Sequence, residues 1–244
     1  MAQNVVAVIP ARLGSRRFSG KVIYPYQGKP LLFYVHRELL KSKMINKVVI
    51  ATDNYKIAKV ACEFGADVFR TSPRHKTGSD RIAETMNNIS ADIIVNIQAD
   101  NLGFKVKTID SVISSMLTDK SIKYATLARR IEDDDVLFDP NKVKVILDKD
   151  DNALWFSRFP LPFIQHPDEK PRYRQFKFWE HIGIYFFRRR ALEQYATWPR
   201  SPLEKAESLE QLRIMEHGGK IRVFKTNMQS ISIDSPDDLK DIKL

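Results

Sequence analysis

Short apolar runs rich in β-branched residues alternate, along the first half of the chain, with segments whose apolar residues recur at helical spacing. The short runs predict strands and the helical spacing predicts helices. The predicted strands are Val5–Ile9, Lys47–Thr52, Val68–Phe69, Ile93–Gln98 and Lys123–Leu127. The predicted helices between them are Leu31–Lys41, Tyr55–Phe64, Ser79–Asn87 and Val106–Leu117. This alternation predicts βαβ crossovers and therefore an α/β fold with a single doubly wound, mostly parallel, Rossmann-like sheet.

The pattern changes after Lys142, because the apolar runs lie closer together there. The predicted strands of this half are Lys142–Leu147, Ala153–Phe156, His181–Phe187, Lys220–Lys225 and Ile231–Asp234. The predicted helices are Arg188–Tyr195, Leu203–Glu216 and Ser235–Ile242. Four prolines between positions 160 and 171 predict an irregular excursion or a small antiparallel flap rather than a linker between domains.

Composition narrows the class of protein. The chain has 244 residues, of which 43% are hydrophobic and 29% charged, so disordered and low-complexity classes are excluded. One cysteine, Cys62, cannot form an internal disulfide or a thiolate metal cluster. No apolar run reaches the ~18 residues of a membrane span, and Val5–Ala11 lacks the basic flank of a signal peptide. We therefore expect a cytosolic globular protein.

The net charge of +10 favours an anionic partner, which could be a nucleic acid, an anionic membrane or a phosphorylated small molecule. The longest basic run is only Arg188-Arg189-Arg190, and the other basic residues are dispersed among acidic ones. Such dispersion is more typical of a solvated surface than of a nucleic-acid arm.

The loop after the first strand carries Gly14, Ser15, Gly20 and Lys21, which are residue types that can wrap phosphates. It is not a P-loop, because five residues separate its glycines and Val22 follows Lys21. The dinucleotide fingerprint G-x-G-x-x-G is also absent. An ordinary basic loop remains the alternative interpretation.

Two aspartates end predicted strands: Asp100 follows the strand at Ile93–Gln98, and Asp234 ends the strand that begins at Ile231. The carboxyl ends of parallel strands meet at one edge of a sheet, where ligands bind. Mg²⁺ takes one or two carboxylates together with phosphates and water. Capping of the following helix is the structural alternative, above all for Asp234.

The predicted strand at His181–Phe187 places His181, Gly183 and Tyr185 on one face and Ile182 on the other. We expect an apolar core face and a polar face, with Gly183 leaving space for a ligand. A surface histidine beside a weak strand glycine is the alternative.

Further along the chain, Ser201 and Glu204 form a capping box with Pro202 at the first helical position, and we assign them no chemistry. Glu210 falls among apolar residues of the predicted helix Leu203–Glu216, so its charge needs a partner or a ligand. Arg213, three residues on, is the structural candidate for that partner.

Taken together, these motifs resemble those of the sugar-activating nucleotidyltransferases, and their spacing is most similar to the CMP-Kdo synthetases (3-deoxy-manno-octulosonate cytidylyltransferases). The resemblance covers essentially the whole chain. It rests on Ile9-Pro10-Ala11-Arg12, Ser15, Arg17, Gly20-Lys21, Gly28-Lys29-Pro30, Ala51-Thr52-Asp53, Thr77 to Glu84, Phe156-Ser157-Arg158, His181 to Tyr185, Ser201 to Glu204, Leu209 to Arg213 and Asp234 to Leu239.

The resemblance implies a CTP-dependent transfer of CMP to an ulosonic acid sugar, with Mg²⁺ held by Asp100 and Asp234 and with Lys21 in the catalytic set. It implies a homodimer through Ala153–Tyr185, and no nucleic-acid partner. Within one domain it implies a nucleotide-binding half at 1–128 and a sugar-binding and dimerisation half at 129–244.

The implied nucleotide contacts are Arg12, Ser15, Lys21, Thr77, Gly78 and Arg81. The implied sugar contacts are Gln98, Arg158, His181, Tyr185, Glu210 and Gln211.

The chain departs from the family pattern at two loops. The family usually has Gln-Gly-Asp-Glu-Pro where this chain has Gln98-Ala99-Asp100-Asn101-Leu102, and it has prolines at the positions of Ser19 and Val22. Asn101 in place of glutamate removes a negative charge near the expected metal. Kdo is the simplest substrate. The alternatives are a modified ulosonic acid such as the 8-amino analogue, or a catalytically weak paralogue that binds nucleotide or RNA.

Overall fold

The computed structural model describes residues 3–14, 18–75, 77–228, 231–233 and 237–239. The strands are β1 (Val5–Ala11), β2 (Pro25–Tyr26), β3 (Lys29–Pro30), β4 (Lys47–Thr52), β5 (Asp67–Arg70), β6 (Ile93–Ile97), β7 (Asn101–Leu102), β8 (Tyr124–Arg130), β9 (Lys144–Leu147), β10 (Ala153–Ser157), β11 (Trp179–Arg188), β12 (Ile221–Lys225) and β13 (Ile231–Ser232). The α-helices are α1 (Leu31–Leu39), α2 (Tyr55–Glu63), α3 (Gly78–Thr85), α4 (Val106–Thr118), α5 (Asp134–Phe138), α6 (Arg172–Gln175), α7 (Arg189–Thr197), α8 (Pro202–Glu207) and α9 (Leu212–Glu216).

A mixed sheet forms the centre of the molecule, and its first half is parallel. β5, β4, β1 and β6 lie side by side in that order, and every pairing among them is parallel. β11 then pairs antiparallel with β6 on one side and with β8 on the other, and β12 joins β8 in parallel. The hairpin of β9 and β10 lies along the first residues of β11. The structure therefore confirms the α/β fold and its mostly parallel first half.

Apolar residues pack on both faces of this sheet, which explains the continuous apolar runs in the sequence. β1 is buried along its whole length, because a parallel strand in the middle of a sheet is covered on both sides. Helices α1 and α4 contribute to the core on one face, whereas Ile82 of α3 and Leu192 of α7 contribute to the core on the other.

The second half of the chain corrects two expectations. The predicted helix Leu203–Glu216 is two short helices, because Ser208 takes a left-handed conformation with φ of 54° and ends α8. The side chains of His181 and Tyr185 do not form an exposed polar face, since both are buried, Tyr185 within the second core. The proline-rich stretch is irregular until the short helix α6, as predicted.

Some predicted features fall on positions that the structure does not describe. These are Ser15, Asp234 and most of the predicted helix Ser235–Ile242, of which only a single 3₁₀ turn at Asp237–Leu239 is described. Within the described ranges, no helix combines the length and the apolar character that a membrane crossing requires.

Candidate active site

The loop after β1 returns to the sheet edge through a glycine turn. Gly20 adopts a φ of 72°, a conformation that favours glycine, and its N–H donates to the carbonyl of Leu13 at 3.0 Å. This closure starts a 3₁₀ helix at Lys21–Ile23. Lys21 is thereby the first residue of a fixed turn rather than part of a free loop.

Lys21 and Asp100 form an ion pair beyond the carboxyl end of β6. The Lys21 Nζ also donates to the carbonyl oxygen of Ile233 at 2.8 Å. The antiparallel pairing of β7 with β13 places Ile233 there, and the Ile233 N–H points back to the Asp100 carbonyl at 3.3 Å. The chain segments at 20–21, 100–102 and 231–233 thus converge on one point.

Asp100 has the chemistry of a magnesium ligand. Its side chain is 18% exposed and presents carboxylate oxygens at the sheet edge. Over the ranges given above, no three His, Cys, Asp or Glu side chains cluster as a closed metal site would require. A single described carboxylate fits Mg²⁺, which commonly retains water and uses substrate phosphates as ligands. The second predicted ligand, Asp234, lies outside the described residues.

Helix α3 approaches the same edge very closely. The Oγ1 of Thr77 caps it by accepting the N–H of Asp80 at 3.1 Å. A Cβ on Gly78 would lie 3.1 Å from Gln98 Nε2 and 3.3 Å from a side-chain carbon of Pro10. A side chain at position 78 would therefore require Gln98 or Pro10 to shift by a few tenths of an ångström. Thr77, Gly78 and Gln98, all predicted site residues, lie together in the structure.

The predicted arginines lie in different surroundings. Arg12 is exposed directly after β1, on the same loop as Lys21. Arg81 is only 4% exposed, and its guanidinium pairs with Asp53 at 3.1 Å and contacts the hydroxyl of Thr71. Arg81 therefore joins α3 to the residues that follow β4 and β5. Its contact with a nucleotide stays a prediction.

Arg158 is held apart from both groups, beyond the end of β10. Its Nε donates to the carbonyl of Glu207 at 2.7 Å and its Nη1 to the carbonyl of Pro140 at 2.9 Å. These contacts fix the guanidinium against α8. Its predicted role at the sugar is untested.

A second group of predicted residues gathers on the face of β11. The hydroxyl of Tyr185 donates to Gln211 Oε1 at 2.8 Å, and the rings of His181 and Tyr185 lie 5.4 Å apart. The amide Nε2 of Gln211 is buried and has no hydrogen-bond partner within the described part of the chain. An unsatisfied buried donor is costly unless a ligand or water accepts from it.

The ring of His181 has a defined hydrogen-bonding role. Its Nε2 lies 2.9 Å from the Thr126 hydroxyl, which donates to the carbonyl of Ile184 at 2.8 Å. The hydroxyl therefore accepts from Nε2–H, and Nδ1 is left as an acceptor. Burial lowers the pKa of His181 to about 3, so the ring is neutral at neutral pH.

Glu210 does not pair with Arg213, although their separation of three residues in a predicted helix allowed that pair. Its Oε2 accepts the N–H of Ser79 at 3.3 Å, while Arg213 binds Glu204 and Asp80. Burial raises the pKa of Glu210 above its ordinary value, and the Ser79 contacts oppose this rise. Glu210 therefore links the segment before α9 to the first turn of α3.

A buried amide connects the two groups of residues. Asn96 Oδ1 accepts from Gln98 Nε2 at 3.2 Å, and Asn96 Nδ2 donates to the Ser79 hydroxyl at 3.4 Å. Asn96 is fully buried and stands opposite Tyr185 in the register of β6 with β11. The site therefore runs along the end of β6, from the Lys21–Asp100 pair through Gln98 to β11.

Gly183 leaves open space on β11. A Cβ built there would meet no atom within 4 Å, and the pairing of β11 with β8 shifts register between Ile182 and Tyr185. The prediction of space between His181 and Tyr185 is confirmed.

Three site residues were absent from the sequence-based set: Ser79, Asn96 and Thr126. Asn96 carried a usable signal, because it is the one polar residue within the apolar run Ile93–Ile97. Ser79 and Thr126 carried none, since their importance comes from partners distant in the sequence.

The Cytidylyltransferase family matches residues 6–221 of the chain. A 3-deoxy-manno-octulosonate cytidylyltransferase of Pelobacter propionicus is 41% identical over 97% of this chain and 94% of its own length. The protein of that name from Geobacter metallireducens is 40% identical over 97% of this chain and 95% of its own length.

Among solved structures, a CMP:2-keto-3-deoxy-manno-octonic acid synthetase in complex with CTP is 33% identical, with a TM-score of 0.89 over 97% of this chain and 95% of that one. An inositol-1-phosphate CTP transferase from T. maritima shares the fold at 16% identity, with a TM-score of 0.63 over 99% of this chain and 93% of that one.

Proposed function

The chain belongs to the 3-deoxy-manno-octulosonate cytidylyltransferases, and from that membership we propose that it converts CTP and Kdo to CMP-Kdo and pyrophosphate for lipopolysaccharide synthesis. In this reaction the anomeric hydroxyl of the sugar attacks the α-phosphorus of CTP, and pyrophosphate leaves. The observation that carries the proposal is the similarity to curated members over nearly the whole chain.

The nucleotide is proposed to bind along the edge formed by the loop after β1 and the start of α3. Arg12 and Lys21 supply positive charge for the phosphates, and Thr77 with Gly78 borders the same edge. Lys21 is bound by Asp100 and by the Ile233 carbonyl, so its ammonium is held in place before any phosphate binds. The Ile233 carbonyl keeps the ammonium at this edge when a phosphate replaces Asp100 as its partner.

Asp100 and Asp234 are the residues proposed to hold Mg²⁺. Bound there, the ion would supply Lewis-acid neutralisation of the phosphate charge and lower the pKa of the attacking hydroxyl. Asp100 is itself paired with Lys21, so the carboxylate proposed to bind the metal already has a positive charge in contact with it. A substrate phosphate can draw Lys21 away from Asp100 and leave the carboxylate free to bind a cation.

The sugar is proposed to lie against the open stretch of β11 at Gly183. Neutral His181 offers an acceptor at Nδ1, and the unpartnered Nε2 of Gln211 offers a donor. Together with the Tyr185 hydroxyl, these groups suit the hydroxyls and carboxylate of an ulosonic acid. The open space at Gly183 is the feature that admits a ring beside them.

A homodimer and a cytoplasmic location complete the proposal. The segment Ala153–Tyr185 carries Leu154, Phe159 and Phe163, which are 56%, 69% and 78% exposed. Large apolar side chains at such exposure, grouped in one segment, are typical of an interface with another chain. Sedimentation should therefore give twice the mass of one chain, and a monomer at micromolar concentration would reject the dimer.

A modified acceptor such as 8-amino-Kdo is a second candidate because of one observation. Asn101 stands directly after Asp100, at the position where the family pattern has glutamate. An amide in place of a carboxylate changes the polar groups beside Asp100.

The deciding experiment measures pyrophosphate release from CTP with Mg²⁺ in the presence of Kdo, 8-amino-Kdo or no sugar. Release with Kdo supports the first candidate, and release only with the amino sugar supports the second. A folded protein that releases no pyrophosphate with either sugar would contradict both.

A further inference from the structure

A cavity of about 610 Å³ lies between α1, the hairpin of β2 with β3, and the segment that follows Asp100. This volume is in the range of small-molecule sites. Among the described residues, those proposed above to contact the nucleotide, the metal or the sugar do not line it, although its lining begins at Asn101, directly after Asp100.

Positive charge dominates the walls of this cavity. Lys29, Arg37 and Lys41 line it, and Glu38 is the only acidic residue among the described residues of the lining. Lys41 pairs with Glu38 at 2.6 Å, and Glu38 also accepts the N–H of Val106 at 3.3 Å, so these two charges are already satisfied.

The remaining two cations, Lys29 and Arg37, have no carboxylate partner among the residues that the structure describes. The aromatic ring of Phe33 positions both of them. The Lys29 Nζ lies 5.5 Å from the ring centroid and the Arg37 guanidinium carbon 5.9 Å from it. Both side chains, which would otherwise extend freely into solvent, therefore lie against the same ring at the cavity. Both remain exposed and can be reached by a dissolved ion.

One residue of the cavity lining, Asn101, has a side-chain donor without an acceptor in the described part of the structure. Asn101 is 7% exposed and lines the cavity, and its amide Nδ2 is buried with no acceptor in the described ranges. Native proteins rarely leave such a group unpaired, because no hydrogen bond then offsets the free-energy cost of removing it from water. An acceptor oxygen from a bound molecule would satisfy it.

We propose that this cavity binds the phosphate group of a small phosphorylated molecule through Lys29, Arg37 and the Asn101 amide. A phosphate monoester carries close to two negative charges at neutral pH, which matches the two unpaired cations. Its three terminal oxygens can accept one each from the ammonium, the guanidinium and the amide. The rest of the cavity leaves room for the remainder of the molecule.

The test follows the Asn101 side-chain amide by NMR in ¹⁵N-labelled protein, with the signal assigned by its loss in Asn101→Ser. Glycerol 3-phosphate and inorganic phosphate are titrated separately, without CTP or metal. We expect a saturable shift of that signal with both probes. Asn101 follows Asp100 directly, so phosphate bound at Lys21 can also shift this signal, and the charge variants below distinguish the two sites. No CTP is present, so the outcome is independent of the proposed reaction.

Two double variants with equal loss of charge make the test specific. Lys29→Gln with Arg37→Gln should raise the dissociation constant about tenfold or more. Lys56→Gln with Lys59→Gln, on the exposed face of α2, should leave it within about twofold. Absence of a saturable shift, or equal weakening by both pairs, would overturn the proposal. Citrate binding more tightly than both phosphate probes would overturn the assignment to phosphate.

Discussion

The edge around Lys21 and Asp100 is charged and partly open, whereas the face around His181 and Tyr185 is uncharged and buried. Lys21 and Asp100 are 13% and 18% exposed at the side chain, and His181 and Tyr185 are 8% and 7% exposed. The first region is built by loops beyond strand ends, and the second by residues within a strand. The difference fits two tasks: charge that must change partners during phosphoryl transfer, and fixed neutral hydrogen bonds that recognise a hydroxylated substrate.

The largest expected effect comes from the charged region. Asp100→Asn should lower kcat by about 10³-fold with little change in folding, because the carboxylate charge is lost while its shape is kept. Steady-state pyrophosphate release and a thermal melt check both parts. Asp150→Asn on an exposed turn is the matched control and should retain full activity. Activity of Asp100→Asn within about tenfold of wild type would remove Asp100 from the catalytic set.

The second effect tests whether the buried region is uncharged. The folded-state pKa of His181, about 3, lies below the unfolded value, so stability should fall as pH drops below about 6.5. The expected loss between pH 7 and pH 5 is about 2 kcal/mol. Urea unfolding at pH 7 and at pH 5 should show that the free energy of unfolding of His181→Asn falls less than that of the wild type, by that amount. Equal changes in wild type and variant would mean that His181 keeps its ordinary pKa.

A third effect separates recognition from chemistry. Tyr185→Phe removes the donor to Gln211 Oε1 and should lower kcat/KM for the sugar roughly tenfold, while KM for CTP stays within about twofold. Varying each substrate in turn measures the two parameters. A variant that loses affinity for CTP as much as for sugar would show that the two regions do not divide the substrates.

The smallest effect compares two glycines, one from each region. Gly78→Ala forces a Cβ against Gln98 and Pro10 and should cost about 1 kcal/mol of stability. Gly183→Ala meets no neighbouring atom, so it should leave stability within about 0.5 kcal/mol but raise the sugar KM a few-fold, roughly threefold. Chemical unfolding and sugar titration distinguish them. An unchanged sugar KM in Gly183→Ala would place the sugar away from β11.

The strands of the sheet were predictable because each is a short apolar run, and such a run can be recognised without knowing which distant residues it contacts. Lys47–Thr52 was predicted with its exact bounds for this reason. The prediction of one helix at Leu203–Glu216 was wrong because Ser208 adopts a left-handed conformation, and because Glu210 binds Ser79, 131 residues away, instead of Arg213. Spacing within one segment cannot report such a distant partner.

The sequence indicated which candidate residues lie near one another better than it indicated their contacts. Periodicity placed His181, Gly183 and Tyr185 on one face, and resemblance supplied Gln98 and Gln211. The Lys21–Asp100 pair was not anticipated, because each was assigned to a ligand rather than to the other. For Arg81 and Arg158, the structure shows protein partners that the sequence did not indicate, namely Asp53 and two backbone carbonyls.

The antiparallel strand β11 has a consequence for how this protein is made. β6 pairs with β1 on one side and with residues 184–188 on the other, so its second edge stays bare until the ribosome has added the chain through residue 188. That edge belongs to a strand that is fully buried in the folded protein. Before β11 is present, the unpaired edge can pair with another chain and cause aggregation. A fragment of residues 1–128 would carry the same bare edge and should not be a soluble unit. The nascent chain is therefore committed to its native sheet only when β11 emerges.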